Sequence, residues 1–132
     1  MAPLIYSAIA SLDGFINDAS CSFDWAMPDE EVHAFVNDYS RPIGTHLLGR
    51  RMYESMRFWE SVPTEGSDSP AMEGYARLWK DSDKVVYSTT LAETDTARTR
   101  IERTFDPVIV QALKEASDRP LGIGGPTVAA HA

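Results

Sequence analysis

The stretch Leu121-Gly122-Ile123-Gly124-Gly125-Pro126-Thr127 decides how the rest of the chain is read. A short apolar strand runs into a glycine pair, and a proline then opens a helix. Glycine lets backbone approach a ligand closely, and proline suits a first helical position because the N–H there has no intrahelical partner. A helix opening at Pro126 points free N–H groups and its positive dipole end ahead of it, which suits a diphosphate. The same residues also make an ordinary strand-to-helix turn, so their meaning depends on their company.

Working outward, the pattern of strand followed by helix repeats. Leu4-Ile5-Tyr6-Ser7-Ala8-Ile9-Ala10 is a near-continuous apolar run, the kind covered on both faces inside a sheet. Asp13-Gly14 is a turn and Phe15-Ile16 a brief extended piece. Pro28-Asp29-Glu30-Glu31 has the proline and acidic first turn of a helix start, and Val32, Phe35, Val36 and Tyr39 follow at helical spacing. Gly44-Thr45-His46-Leu47-Leu48-Gly49 reads as a strand ending in glycine, with a helix over residues 50–59 and the cations Arg50 and Arg51 at its mouth. Residues 61–70, rich in Ser, Pro, Gly and acids, form a loop. Met72, Tyr75, Ala76 and Trp79 mark a further amphipathic helix. Strands follow at residues 84–88 and 100–105. Asp106-Pro107 then starts a helix with Ile109, Ala112, Leu113 and Ala116 on its apolar side. Alternation of this kind predicts an α/β fold with a largely parallel sheet and ligands at the carboxyl ends of its strands. Three such ends carry polar or glycine groups: Gly49-Arg50-Arg51, Ser88-Thr89 and Gly124-Gly125.

Composition narrows the function. At 132 residues the chain is expected to form one domain, 1–132, with a core of its own. A formal charge of −8 disfavours nucleic acid and anionic membranes as partners. The lone Cys21, beside Ser20 and Ser22, permits no internal disulfide and fits a reduced, cytoplasmic setting. The N-terminus has no basic leader and no apolar run reaches the length of a membrane span. His33, His46 and His131 are isolated, so no metal site is expected. Walker and Gly-x-Gly-x-x-Gly signatures are both absent. Arg98, Arg100 and Arg103 cluster after a strand, either as solvated charges or as guanidinium forks for an anion.

The order of these motifs resembles the dihydrofolate reductase-like superfamily over essentially the whole chain, and most closely the reductase domain of the bacterial riboflavin-biosynthesis deaminase/reductase. The motifs that carry the likeness are Asp13-Gly14-Phe15-Ile16, Trp25 with Pro28 before an acidic helix, Leu48-Gly49-Arg50-Arg51-Met52-Tyr53-Glu54, Tyr87-Ser88 and Ile123-Gly124-Gly125-Pro126. The resemblance implies a three-layer αβα domain with a mostly parallel central sheet. It implies an NADPH-dependent reductase that passes a hydride to a small heteroaromatic substrate, of pterin or pyrimidine type, or to a carbonyl. Gly49, Arg50, Arg51 and Met52 would bind cofactor phosphates, and Ser88 and Thr89 would line the adenosine side. Gly124, Gly125, Pro126 and Thr127 would hold the diphosphate, with a Gly-Gly peptide that is often cis in the family. Ile16 would pack near the nicotinamide under the Asp13-Gly14 loop. An acid at the start of the helix after Trp25 would assist catalysis; Asp29, Glu30 and Glu31 all fall there, and Glu30 is the nominal choice. Trp25, Tyr53 and Phe58 would line a flat substrate pocket, although aromatics beside helices also serve as plain core.

The likeness stops short at one end. Family members continue past this last helix into further strands that flank the first, and this sequence has none. The expectation is a homodimer, or a partial version of a longer protein, with the first strand at an open edge. A non-catalytic nucleotide-binding or dimerising module that keeps the reductase fold is the alternative to an enzyme.

Overall fold

A computed structural model describes residues 1–132. Five strands, β1 (Leu4–Tyr6), β2 (Thr45–Gly49), β3 (Asp83–Tyr87), β4 (Thr99–Glu102) and β5 (Leu121–Gly124), form one sheet in the order β1-β5-β2-β3-β4. Every pairing is parallel. The helices are α1 (Glu30–Ser40), α2 (Arg50–Met56), α3 (Pro70–Asp81), α4 (Pro107–Ala116) and α5 (Pro126–Ala129), with 3-10 turns at Asp24–Ala26 and Arg57–Glu60.

Alternation along the strands builds the layers. Leu47, Val85, Leu121 and Ile123 face one side, where they pack with Val110 of α4 and Val128 of α5. Their neighbours Leu48 and Val86 face the other side and meet Tyr53 of α2 and Trp79 of α3. Each such fully buried aliphatic stabilises the fold by roughly 1.5–3 kcal/mol. The result is the three-layer α/β arrangement of the dihydrofolate reductase-like fold, with α1 lying outside, against α3.

Helix starts follow their local chemistry. Asp29, Ser69 and Asp106 each accept a backbone N–H at the start of α1, α3 and α4, with Pro70 and Pro107 as first helical residues of the latter two. Gly49 and Gly125 cap α2 and α5 and offer no side-chain acceptor.

Several elements are shorter than their sequence suggests, because a strand lasts only as long as its neighbour. The apolar run from Leu4 to Ala10 is paired only to Tyr6, opposite Ile123; beyond that point β5 turns into α5, and residues 7–10 are exposed. Likewise β4 stops at Glu102, opposite the last residue of β3, rather than continuing to Phe105. The helix expected over residues 50–59 tightens into a 3-10 turn after Met56, and Phe15-Ile16 joins no strand. β1 lies at the sheet edge with β5 as its one neighbour.

Candidate functional site

All five strands point the same way, so their carboxyl ends share one rim of the sheet. β2 and β5 lie side by side at the middle of it, Leu48 opposite Gly124. From there the chain diverges: β2 leads into α2 on one face, and β5 leads into α5 on the other. Neighbouring strands whose connections leave to opposite faces open a crevice at the strand ends, where α/β proteins bind ligands. The two helices that start at this crevice, α2 and α5, are the two without a side-chain cap. Their first-turn N–H groups are therefore left for another acceptor.

The glycines of this rim have distinct reasons. A Cβ on Gly124 would stand 3.3 Å from both Leu48 Cδ2 and Met52 Cγ, so glycine lets α2 lie close on β5. Gly125 has φ +99° and ψ 122°, a conformation that L side chains rarely adopt. A Cβ there would lie 3.7 Å from Gly49 N, so the two capping glycines sit close across the crevice. No peptide bond in the chain is cis. The Gly124–Gly125 link expected to be cis is trans, and the turn is made by the positive φ instead. Replacing Gly125 by valine should therefore lower the thermal midpoint and weaken nucleotide binding together, since strain in such a region costs on the order of 1–3 kcal/mol. Thermal unfolding with and without added NADPH checks both effects.

The cations at the mouth divide. Arg50 is held by Glu54, Nη1 to Oε1 at 2.8 Å, whereas Arg51 is exposed and its guanidinium has no ion pair. Arg98 is fixed on Asp83 at 2.9 Å and Arg100 lies 3.5 Å from Glu102. Arg103 donates to the carbonyls of Ser88 and Leu91, pinning the turn after β3. The Ser88 hydroxyl accepts from the N–H groups of Thr90 and Leu91, so it shapes that turn, and Thr89 is left exposed. Thr127 is exposed in the first turn of α5.

An open hollow of about 480 Å³ lies on the loop that leaves the carboxyl end of β1, lined by Ser11, Asp13, Phe15, Asn17, Asp18, Ala19 and Trp25. Ser11 staples its near wall, donating to Asp13 Oδ1 at 2.6 Å and accepting from the Phe15 N–H at 3.0 Å. Asp18 Oδ1 accepts from the N–H groups of Ser20 and Ser22.

The motif order, parallel sheet and crevice agree with a comparison against known families, in which the model for the RibD C-terminal domain matches residues 2–128. The chain belongs to that family. It is thus a reductase-like domain of the riboflavin-biosynthesis type, with a dihydrofolate reductase-like fold. Comparison with curated proteins gives no match. No helix of this RibD C-terminal domain is long and apolar enough to cross a membrane.

Within this RibD C-terminal domain four expected residues stand outside the lining of the hollow. Glu30 does not face the hollow: its Oε1 accepts the Ala71 N–H at 2.8 Å and its Oε2 accepts the Ser69 hydroxyl at 2.7 Å. Those bonds, the Ala71 one foremost, hold its carboxyl below the usual carboxylate range, the reverse of what a proton donor needs. Its work is to tie α1 to the start of α3. Glu30→Ala should accordingly lower the thermal midpoint and leave NADPH affinity unchanged; a lost affinity with an unmoved midpoint would restore a site role.

Tyr53 is core rather than pocket, buried against Leu48, Trp79 and Val86, and its hydroxyl reaches Asp95 at 3.2 Å and Thr96 at 3.0 Å. Burial pushes that phenol above its ordinary pKa. Phe58 sits on the 3-10 turn after α2, edge-on to Trp59 at 5.5 Å and away from the lining of the hollow. Ile16 shares the loop but is not part of that lining. Trp25 alone of the expected aromatic set is there. Phe15 stands in a motif that carries the resemblance but had no site role there, and Asn17 and Asp18 were not singled out; the polar Asn17-Asp18 pair directly after Phe15-Ile16 is the signal that marks them.

Proposed function

We propose that the chain binds NADPH across the β2/β5 crevice and works in the cytoplasm as a reductase of a small heteroaromatic, pterin- or pyrimidine-type, or carbonyl substrate. The observation that carries this reading is the pair of uncapped helix starts, at Gly49 and Gly125, facing each other where the sheet connections diverge. The residues fit the group. The N–H groups of Arg50, Arg51, Met52 and Thr127 would hold phosphate oxygens, with Pro126 fixing the start of α5. The unpaired Arg51 would take the extra phosphate that separates NADPH from NADH. Ser88 and Thr89 would border the adenosine, and the loop bearing Ile16 would cover the nicotinamide.

Bound there, NADPH would supply the hydride. The chain itself orients the acceptor: Trp25 and Phe15 offer flat apolar walls, while Asp13, Asp18 and Asn17 offer acceptors for substrate N–H groups. With Glu30 committed to α3, any proton must come through the carboxyl groups of this hollow or from water.

Arg51→Ala should weaken NADPH binding roughly 10- to 150-fold, since a hydrogen bond to a charged group contributes about 1.5–3 kcal/mol. Arg50→Ala should do less, because that guanidinium is shared with Glu54. Titration of NADPH fluorescence reads both. If neither variant moves the affinity, the phosphate site is misplaced. The engagement of Glu30 favours a second reading, a nucleotide-binding module without turnover. Loss of absorbance at the nicotinamide band with pterin, pyrimidine or carbonyl acceptors separates the two.

A further inference from the structure

Of the three arginines gathered around β4, Arg98 and Arg100 lie beside carboxylates, those of Asp83 and Glu102. Arg103 has no acid partner. Its Nη1 donates to two backbone carbonyls at once, Ser88 O at 2.9 Å and Leu91 O at 2.6 Å. The strand ends explain why those carbonyls need it. β3 and β4 run together as far as Tyr87 opposite Glu102, and the Ser88 N–H still reaches Glu102 O at 3.0 Å. In a parallel ladder the next bond would run from an N–H further along β4 back to Ser88 O. β4 has already ended, so no backbone N–H reaches that carbonyl, and the Arg103 side chain stands in for the missing bond.

The second bond closes the turn at Leu91, whose side chain rests on the Leu48 and Trp79 cluster. Inside the turn Ser88 Oγ accepts from the Thr90 and Leu91 N–H groups, and Thr89 and Thr90 are left exposed at its tip. The turn stands on the same rim as the capping glycines, since Tyr87 is opposite Gly49 and Glu102 is opposite Tyr87. Two strand spacings, about 10 Å, separate Gly49 from Glu102, a span that ribose and base cover from a diphosphate held at Gly49. We infer that Arg103 is a positioning residue for the nucleotide: it fixes the turn from Ser88 to Leu91 in advance, so that Thr89 meets the adenosine half already in place. The inference rests on the reading that Ser88 and Thr89 border the adenosine. A turn ordered before the ligand arrives loses less freedom on binding. Arg103 Nε and Nη2 carry no bond within the chain, so direct contact with the extra phosphate of NADPH is the competing role.

The test titrates NADPH and NADH fluorescence on the original chain, Arg103→Ala and Arg103→Lys, with amide exchange followed at Thr90 and Leu91. Alanine should weaken both cofactors by the same factor, at least about fivefold, because the turn must then be ordered at the moment of binding. Exchange at the two amides should quicken with it. Lysine presents several donors from one nitrogen, as Nη1 does here, and should recover most of the affinity and of the protection. Arg103 is exposed and belongs to neither core cluster, so both variants should unfold near the original temperature. Unchanged affinity in Arg103→Ala would overturn the inference, and so would a lysine variant no better than alanine. A loss confined to NADPH would overturn it as well, by marking a direct phosphate contact. An original chain that binds neither cofactor rejects the underlying reading of the crevice, and the role of Arg103 falls with it.

Discussion

Trp79→Ala is expected to remove about 3–5 kcal/mol from the fold, the range for deleting a large buried aromatic. The indole is 1% exposed and packs on Leu48, Tyr53 and Val86, so it fills the space between α3 and the sheet. It also makes three polar contacts with two charged side chains. Its N–H donates to Glu60 Oε2 at 2.8 Å, its backbone carbonyl accepts from Lys84 Nζ at 2.7 Å, and that ammonium lies 4.6 Å from the centre of the indole. Lys84 is itself 1% exposed and burial depresses its pKa, so truncation strips a contact from a cation that water cannot reach. Against a typical domain stability of about 5–15 kcal/mol, the loss is about a fifth of the total at least. Urea unfolding of the original chain, Trp79→Ala and Trp79→Phe measures it. Phenylalanine should recover much of the packing but not the bond to Glu60. A loss below about 1 kcal/mol for the alanine variant would mean that the α3 interface refills on its own.

Acidification should cost nearly as much. Burial, with Lys84 and Arg119 adding their charge, pushes His46 down to about 4. In the unfolded chain an imidazole takes its proton near 6.5. Between those values the unfolded state binds a proton that the folded state refuses, so stability falls as pH drops from about 6.5 to about 4 and the loss is complete below that. The two-and-a-half-unit gap corresponds to roughly 3 kcal/mol. Glu30 adds a lower limb, because its lowered pKa gives stability that is lost only as pH falls below the usual carboxylate value. Unfolding free energies of the original chain and His46→Gln across this range isolate the histidine: the variant should lack the upper limb. Parallel curves would show that His46 keeps access to water.

Much of this architecture was legible because its signals are local. Capping residues, proline starts and period-two apolar runs placed α1, α3, α4 and the three central strands within a residue or two. The crevice was legible from the two glycine-bearing strand ends, Gly49 and Gly124-Gly125, since a parallel sheet must bring them to one rim. What stayed hidden depends on neighbours far along the chain. Nothing near Glu30 announces that Ser69 and Ala71 will claim its carboxylate, and nothing near Tyr53 says that it turns inward to Asp95 and Thr96. The true length of β1 was equally concealed, because it is set by where β5 ends rather than by the largely apolar run from Leu4 to Ala10.

The strand order also imposes a timetable on synthesis. β2, β3 and β4 are sequence neighbours and can assemble as the ribosome releases them, with α2 and α3 closing over one side. β1 leaves first, yet it pairs with β5, almost the whole chain later, and β5 must also slot in beside β2. Closing so long a loop is slow, and contacts of this separation dominate the folding time of a domain. The first strand made is therefore among the last to be seated, and during that wait its apolar residues are those most in need of a chaperone.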